Sequence, residues 1–230
     1  MSVSSDLPAG TAAKCRLNLF SKTPIPGRVK TRLAKHIGDE TASFLGEKLI
    51  EWTVDSALAY WPGEVVLHVW PSTNHPLFNK LSSTTGVEIC CQVAGNLGQK
   101  MSSVLVNSTD NHTVNAVMGC DVPHIGATQL QMAAKAMVEK KTVVGPASDG
   151  GFYLLAMNDF CVKYFAGVQW GTSNVYQQLT ANIESAGGSL ETKLDTLTDL
   201  DRLEDLFHVA SFYPPLAQFL VQKNICESGL

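Results

Sequence analysis

Long apolar runs are missing from this sequence. No stretch of about 20 apolar residues occurs, so a membrane-crossing helix is not expected. Surplus positive charge is missing too. Lys and Arg number 17 against 21 Asp and Glu, a net charge of −4, and the pI is near 5.8. That balance argues against a nucleic-acid binder, which would carry a broad basic face. The 6 cysteines show no C-x-x-C spacing and mostly sit in apolar runs, so they read as reduced, buried thiols. Neither the P-loop pattern G-x-x-x-x-G-K-[ST] nor the dinucleotide pattern G-x-G-x-x-G occurs. The opening "MSVSSDLPAGTAAK" lacks the basic and apolar regions of a signal peptide. No repeat or low-complexity segment stands out. The expectation is a soluble cytoplasmic protein with neither nucleic acid nor membrane as a partner.

What is present suits one sizeable α/β domain. The 230 residues are 45% hydrophobic, enough to bury a large core. A polar, flexible tail is expected over 1–14 and a single domain over 15–230. "CRLNLF", "EVVLHVW", "VEICCQV", "TVNAVMG", "KTVVGPA" and "DGGFYLLAM" read as strands, and a further strand is expected near "GSLETKLDTL". Helical periodicity falls between them. It is clearest in "GDETASFLGEKLIEWTVDSALAYW", with Phe44, Leu45, Leu49, Trp52 and Leu58 near one side and Asp39 as a possible cap. Such alternation predicts a mostly parallel central sheet with helices on both faces. In sheets of that kind ligands bind at the carboxyl ends of the strands. The loops after Phe20, Val93, Gly119 and Ala147 belong to that edge.

The first of these loops is "SKTPIPGRVKTRLAK", Ser21 to Lys35. It gathers Lys22, Arg28, Lys30, Arg32 and Lys35 in an otherwise acidic chain. Pro24 and Pro26 stiffen the turn, and Gly27 lets the backbone approach a ligand. Lys30 supplies a point charge and Arg32 a planar fork, a combination suited to phosphate. Asp121 in "MGCDVPHI" follows an apolar strand and reads either as a ligand for Mg²⁺ or Mn²⁺ or as a turn residue. Asp149 and Gly150 in "GPASDGGFYLLAM" carry a hairpin signal. With Gly151 they also suit a flat sugar or base lying on bare backbone. In "TLTDLDRLEDL", Asp199 or Asp201 reads as a helix cap, or as a second carboxylate meeting Asp121 at one metal.

Six segments in order, "FSKTPIPGRVKTRL", "AGNLGQKM", "MGCDVP", "GPASDGGFYLLA", "VQWGTSNV" and "LTDLDRLEDL", resemble the radical-SAM/selenodomain-associated transferases. These are glycosyltransferase-like proteins of the GT-A, nucleotide-diphospho-sugar transferase fold, similar in turn to phospholactate guanylyltransferase. The resemblance runs from about Leu17 to about Leu206. It implies that the Ser21–Arg32 loop wraps nucleotide phosphates, with Lys30 and Arg32 in contact and Lys22, Pro26, Gly27 and Arg28 alongside. It adds Gly98 and Lys100 to the nucleotide set, and Trp170, with Gly150 and Gly151, to the sugar or acceptor side. Asp121 and Asp201 become the metal ligands, and Asp149 orients the acceptor or serves as base. Two departures stand out: Asn96 and Lys100 occupy places where the relatives carry Asp and Arg.

The implied activity is metal-dependent transfer from a nucleotide sugar to a small acceptor. Nucleotidyl transfer with release of pyrophosphate is the alternative. A non-catalytic nucleotide-binding protein is the reading from another class. An oligomer is possible, and "YPPLAQFL" near the end is a candidate interface.

Overall fold

The computed structural model describes residues 15–106, 114–139, 141–190 and 192–226. The tail expected over 1–14 lies outside them. Among the described residues seven strands form one sheet: β1 (Cys15–Lys22), β2 (Glu64–Trp70), β3 (Glu88–Cys91), β4 (Val114–Gly119), β5 (Val143–Pro146), β6 (Phe152–Met157) and β7 (Thr192–Lys193), in the order β3-β2-β1-β4-β6-β5-β7. The pairs β1–β2, β1–β4, β2–β3 and β5–β7 are parallel. Only β6 runs antiparallel to its neighbours, because it forms a hairpin with β5 through the Asp149–Gly150 turn. Sequence alternation therefore predicts the architecture, and the hairpin signal predicts its one reversed strand.

Strand alternation divides the apolar side chains between two faces. Leu17, Leu19, Ala116, Met118, Leu154 and Ala156 face one core, shared with α2 (Asp39–Tyr60), α3 (Pro76–Thr85) and α5 (Ala127–Val138). Val117, Leu155 and Met157 face the other, covered by α4 (Leu97–Leu105) and α6 (Val175–Ser185). A third cluster holds α1 (Thr31–Ile37), α7 (Leu203–Ala210) and α8 (Pro214–Gln222) against the outer side of α2. Helix α2 is thus buried on two sides, which explains why its apolar residues do not form one stripe. Ile50, Val54 and Ala57 serve the sheet, and Leu45 and Leu49 serve α7 and α8. Leu58, expected on the buried side, is 42% exposed. "YPPLAQFL" supplies Leu216, Phe219 and Leu220 to this third cluster, so much of it is packed tail.

Two other expectations change. Asp39 opens α2 but does not cap it; Gly38 holds that place without a side-chain bond. Of the cysteines only Cys15 and Cys120 are buried, while Cys91 and Cys226 are exposed, although all six are free thiols. Among the described residues no helix is long and apolar enough to cross a membrane.

Candidate functional site

The carboxyl ends of β1, β2 and β4 open into a cleft of about 520 Å³, closed on its far side by the β5–β6 turn, a size suited to a small ligand. Its floor is made where β4 ends. The N–H of Cys120 donates to the carbonyl of Phe20 on β1, and the N–H of Leu200 donates to the carbonyl of Asp121. The segment before α7 is thereby joined to the loop after β4, although about 80 residues separate them in the chain. On its other side the same segment follows β5: the N–H groups of Leu197 and Ser148 bond the carbonyls of Pro146 and Leu197.

Lys30 stands at the meeting point. Its side chain is 7% exposed, and its ammonium lies 2.5 Å from Asp121 Oδ1 and 3.1 Å from Asp201 Oδ1. Arg32 Nη1 approaches the other oxygen of Asp201 at 3.6 Å. The Lys30 backbone is left-handed, with φ 47 and ψ 40. A non-glycine residue held there is strained, and such strain concentrates at functional sites. Burial disfavours the Lys30 ammonium, yet the Asp121 and Asp201 carboxylates outweigh that and raise its pKa. For Asp201 burial works upward, while Lys30, then Arg32 and Lys22, bring the net shift downward. Lys30 and Asp201 thus hold each other charged.

Asp199 behaves differently. Burial and the facing Asp149 carboxylate push it up to about 6. Ser148 Oγ donates to it at 3.5 Å. Neither Asp199 nor Asp201 caps α7. Asp205 does that work by reaching back, its Oδ2 accepting from the N–H groups of Asp201 at 3.1 Å and Arg202 at 2.7 Å. The Asp201 side chain is left free to meet Lys30.

The remaining expected residues divide by position. Lys22, Lys100, Asp149, Gly151 and Trp170 line the cleft with Lys30, Asp121 and Asp201. Pro26, Gly27 and Arg28 are exposed and outside its lining. Gly98 lies beneath the Trp170 indole, where an added Cβ would sit 2.7 Å from the ring. Gly150 is pressed against a neighbouring loop, with a Cβ position 2.1 Å from the Ser173 carbonyl oxygen. Close packing, rather than an open bed for a ligand, accounts for both glycines. Asp149 carries out the turn as well, its Oδ1 accepting from the N–H of Gly151 at 2.7 Å.

Asn96 caps α4 by accepting from the N–H of Gln99, and Gln99 Oε1 accepts in return from the N–H of Asn96. An amide performs that task as well as a carboxylate does. Lys100 places its ammonium 4.2 Å from the centre of the Trp70 ring, a cation–π contact. Asp199, Trp70 and Gln92 also line the cleft; Asp199 is expected there only as an alternative to Asp201, and Trp70 and Gln92 are not expected there from sequence. The Asp199-x-Asp201 spacing was the one available signal.

The donor set can be tested for a metal. Among the described residues no group of three or more His, Cys, Asp or Glu side chains is arranged to hold an ion. Two carboxylates do converge on one cation, the Lys30 ammonium. That fits Mg²⁺ or Mn²⁺ held by one or two carboxylates with the remaining positions taken by phosphate and water, and it does not fit an all-protein cage.

The fold has solved relatives. A candidate nucleotide-diphospho-sugar transferase from Desulfovibrio desulfuricans G20 superposes with a TM-score of 0.81 at 24% identity, covering 92% of this chain and 96% of its own. A CMP:2-keto-3-deoxy-manno-octonic acid synthetase complexed with CTP gives a TM-score of 0.54 at 11% identity over 88% and 99% of the two chains. The 4-diphosphocytidyl-2C-methyl-D-erythritol synthase from Anaerococcus prevotii gives 0.56 at 9% identity over 88% and 99%. The likeness establishes the shared fold. No protein of curated function matches this chain in sequence. The family model DUF2064, described as an uncharacterized protein conserved in bacteria, matches residues 53–172, just over half of the chain, and the protein belongs to that family.

Proposed function

We propose that this protein is a divalent-metal-dependent transferase that takes a nucleotide-sugar donor and passes the sugar to a small acceptor. The observation that carries the reading is the convergence of Lys30, Asp121 and Asp201 in one cleft, with Lys22 and Lys100 on its walls. Asp121 and Asp201 would hold Mg²⁺ or Mn²⁺, which neutralises charge on the departing diphosphate. Lys22, Lys30 and Lys100 bind phosphate oxygens and keep the diphosphate in line with the acceptor. The acceptor oxygen bonds to the anomeric carbon, the bond from that carbon to the diphosphate breaks, and the nucleoside diphosphate leaves. Asp149, which lines the cleft with Trp170, receives the acceptor's proton. Asp199, pushed up to about 6 by burial and the Asp149 carboxylate, can carry a proton in the same cleft.

Nucleotidyl transfer is the second reading, favoured by the three lysines on the cleft, which together can contact the phosphates of a triphosphate. Two cytidylyl-transferring relatives with this fold support it by analogy. Product analysis separates the two, since nucleoside diphosphate is released in one case and pyrophosphate in the other. The prior experiment is a thermal-shift panel of nucleotides and nucleotide sugars, with and without Mg²⁺ or Mn²⁺. A ligand at 100 times its Kd adds about 2.7 kcal/mol. A metal-dependent shift is expected, and no shift with any nucleotide would remove the functional reading.

A further inference from the structure

The cleft has a second end, marked by Lys100 over the Trp70 ring, where the metal assignment places nothing. There the carboxyl ends of β2 and β3 bring Trp70 and Gln92 onto the lining. The backbone N–H of Gln92 donates to the carbonyl of Val69. Its side chain reaches across β2, and Nε2 donates to the carbonyl of Ser21 at 3.0 Å and to that of His68 at 2.9 Å. Two carbonyl partners decide which end of the amide is nitrogen. Oε1 is left as an acceptor, and among the described residues no donor meets it. A glutamine with one partner can turn over and present either end of its amide. This one cannot, because turning would break both bonds and set Oε1 against two carbonyl oxygens.

The placement matches a nucleotide laid across the strand ends. β3 lies three strands from β4, which leads into Asp121. The Gln92 side chain reaches back over β2, so its amide lies at the ends of β1 and β2, one to two strands from β4, or roughly 5–10 Å at about 4.8 Å per strand. Phosphates at Lys30 would put the base near Trp70 and Gln92.

We propose that Gln92 is a specificity-determining residue: its fixed Oε1 selects a nucleobase that offers an exocyclic amino group and rejects one that offers a carbonyl at that place. An amino group completes the unused acceptor. A carbonyl there would bring two desolvated acceptors face to face. The inference rests on the reading of the cleft as a nucleotide site.

The test uses nucleoside diphosphates with Mg²⁺, a ligand common to both transfer chemistries, in three matched pairs: CDP and UDP, ADP and IDP, GDP and IDP. The members of each pair differ at an amino group. The wild-type protein is expected to bind the amino member about tenfold more tightly in at least one pair. Gln92→Met should reduce that ratio to within twofold while leaving the affinity for inorganic diphosphate unchanged, a combination that a purely structural role for Gln92 does not produce. Equal or tighter binding of the member lacking the amino group in every pair overturns the inference and leaves the nucleotide site standing. So does a ratio that survives in folded Gln92→Met. Should that variant fail to fold, the wild-type ratios decide alone. Failure of every nucleoside diphosphate to bind overturns the inference together with the functional reading.

Discussion

The N–H of Leu200 donates to the carbonyl of Asp121 at 2.9 Å. Through that bond the two carboxylates of the site, one after β4 and one before α7, hold a fixed relation to each other. A second restraint comes from Asp205, whose carboxylate accepts from the N–H groups of Asp201 and Arg202. Asp205→Ala is therefore expected to cost about 1 kcal/mol of stability. At about 2–4 °C per kcal/mol for a chain of this size, the melting temperature should fall by that amount. Metal-dependent nucleotide binding should weaken as well, because Asp201 loses its backbone anchor. Asp205→Asn keeps an acceptor oxygen and should recover much of both. Calorimetric melting and ligand titration of the two variants check this, and equal losses in both would show that the carboxylate's charge matters more than its capping bonds.

Lys30 occupies the place that a bound cation would share. With Lys30→Met, Asp121 and Asp201 face each other without their ammonium. Mn²⁺ should then bind about tenfold more tightly in the absence of nucleotide, since it no longer displaces a paired charge. Nucleotide affinity should fall in the same variant. Isothermal titration with Mn²⁺ alone is the measurement. Unchanged or weaker Mn²⁺ binding would mean that the two aspartates do not form a cation site.

Gly150 is constrained twice, by φ +89 and by the Ser173 carbonyl oxygen that a Cβ would meet at 2.1 Å. The N–H of Tyr176 also donates to its carbonyl at 2.9 Å, binding the hairpin turn to the start of α6. Gly150→Ala should cost about 2–4 kcal/mol, combining backbone strain with a steric clash. Gly167 provides the comparison, with φ +68 and nothing within 4 Å of its Cβ position. Gly167→Ala should cost only about 1 kcal/mol, the conformational part alone. Denaturant unfolding of both variants separates the two contributions. Similar losses would show that the Ser173 contact yields at little expense.

Much of the frame was legible because its signals are local. β-branched runs separated by helical periodicity give the parallel sheet, and the Asp149–Gly150 turn marks where β6 reverses. Lys30 and Asp121 could be paired in advance because each follows a strand end on the same edge. Other features arise only from contacts distant in sequence. Asp199 enters the cleft because the chain near Leu197 follows β5. Gln92 and Trp70 acquire meaning from the order of β1, β2 and β3. Gly98 resembled an anion-binding residue until Trp170, about 70 positions away, proved to cover it. The acidic run at Asp199–Asp205 suggests a cap at Asp199 or Asp201, and the local bonds from the N–H groups of Asp201 and Arg202 give that work to Asp205.

His124 gives the protein an acid-labile point beyond the carboxylates. Its Nδ1 is buried with no hydrogen-bond partner among the described residues. The ring packs edge-on against Phe212, which also packs against His208, at centroid distances of 5.5 Å in both cases. Burial, with His208 as the nearby cation, lowers the His124 pKa from 6.5 to about 4. The unfolded chain therefore binds a proton between those values while the folded chain does not. Stability falls as pH drops through 6.5 toward 4, and this group adds no further loss below that. The contribution should be roughly 1–2 kcal/mol once its partial exposure to water is allowed for. His124→Gln removes the titrating ring, so the stability difference between pH 7 and pH 4.5 should shrink by about that amount. Urea unfolding of both proteins at the two pH values measures it, and an unchanged difference would place the acid sensitivity elsewhere.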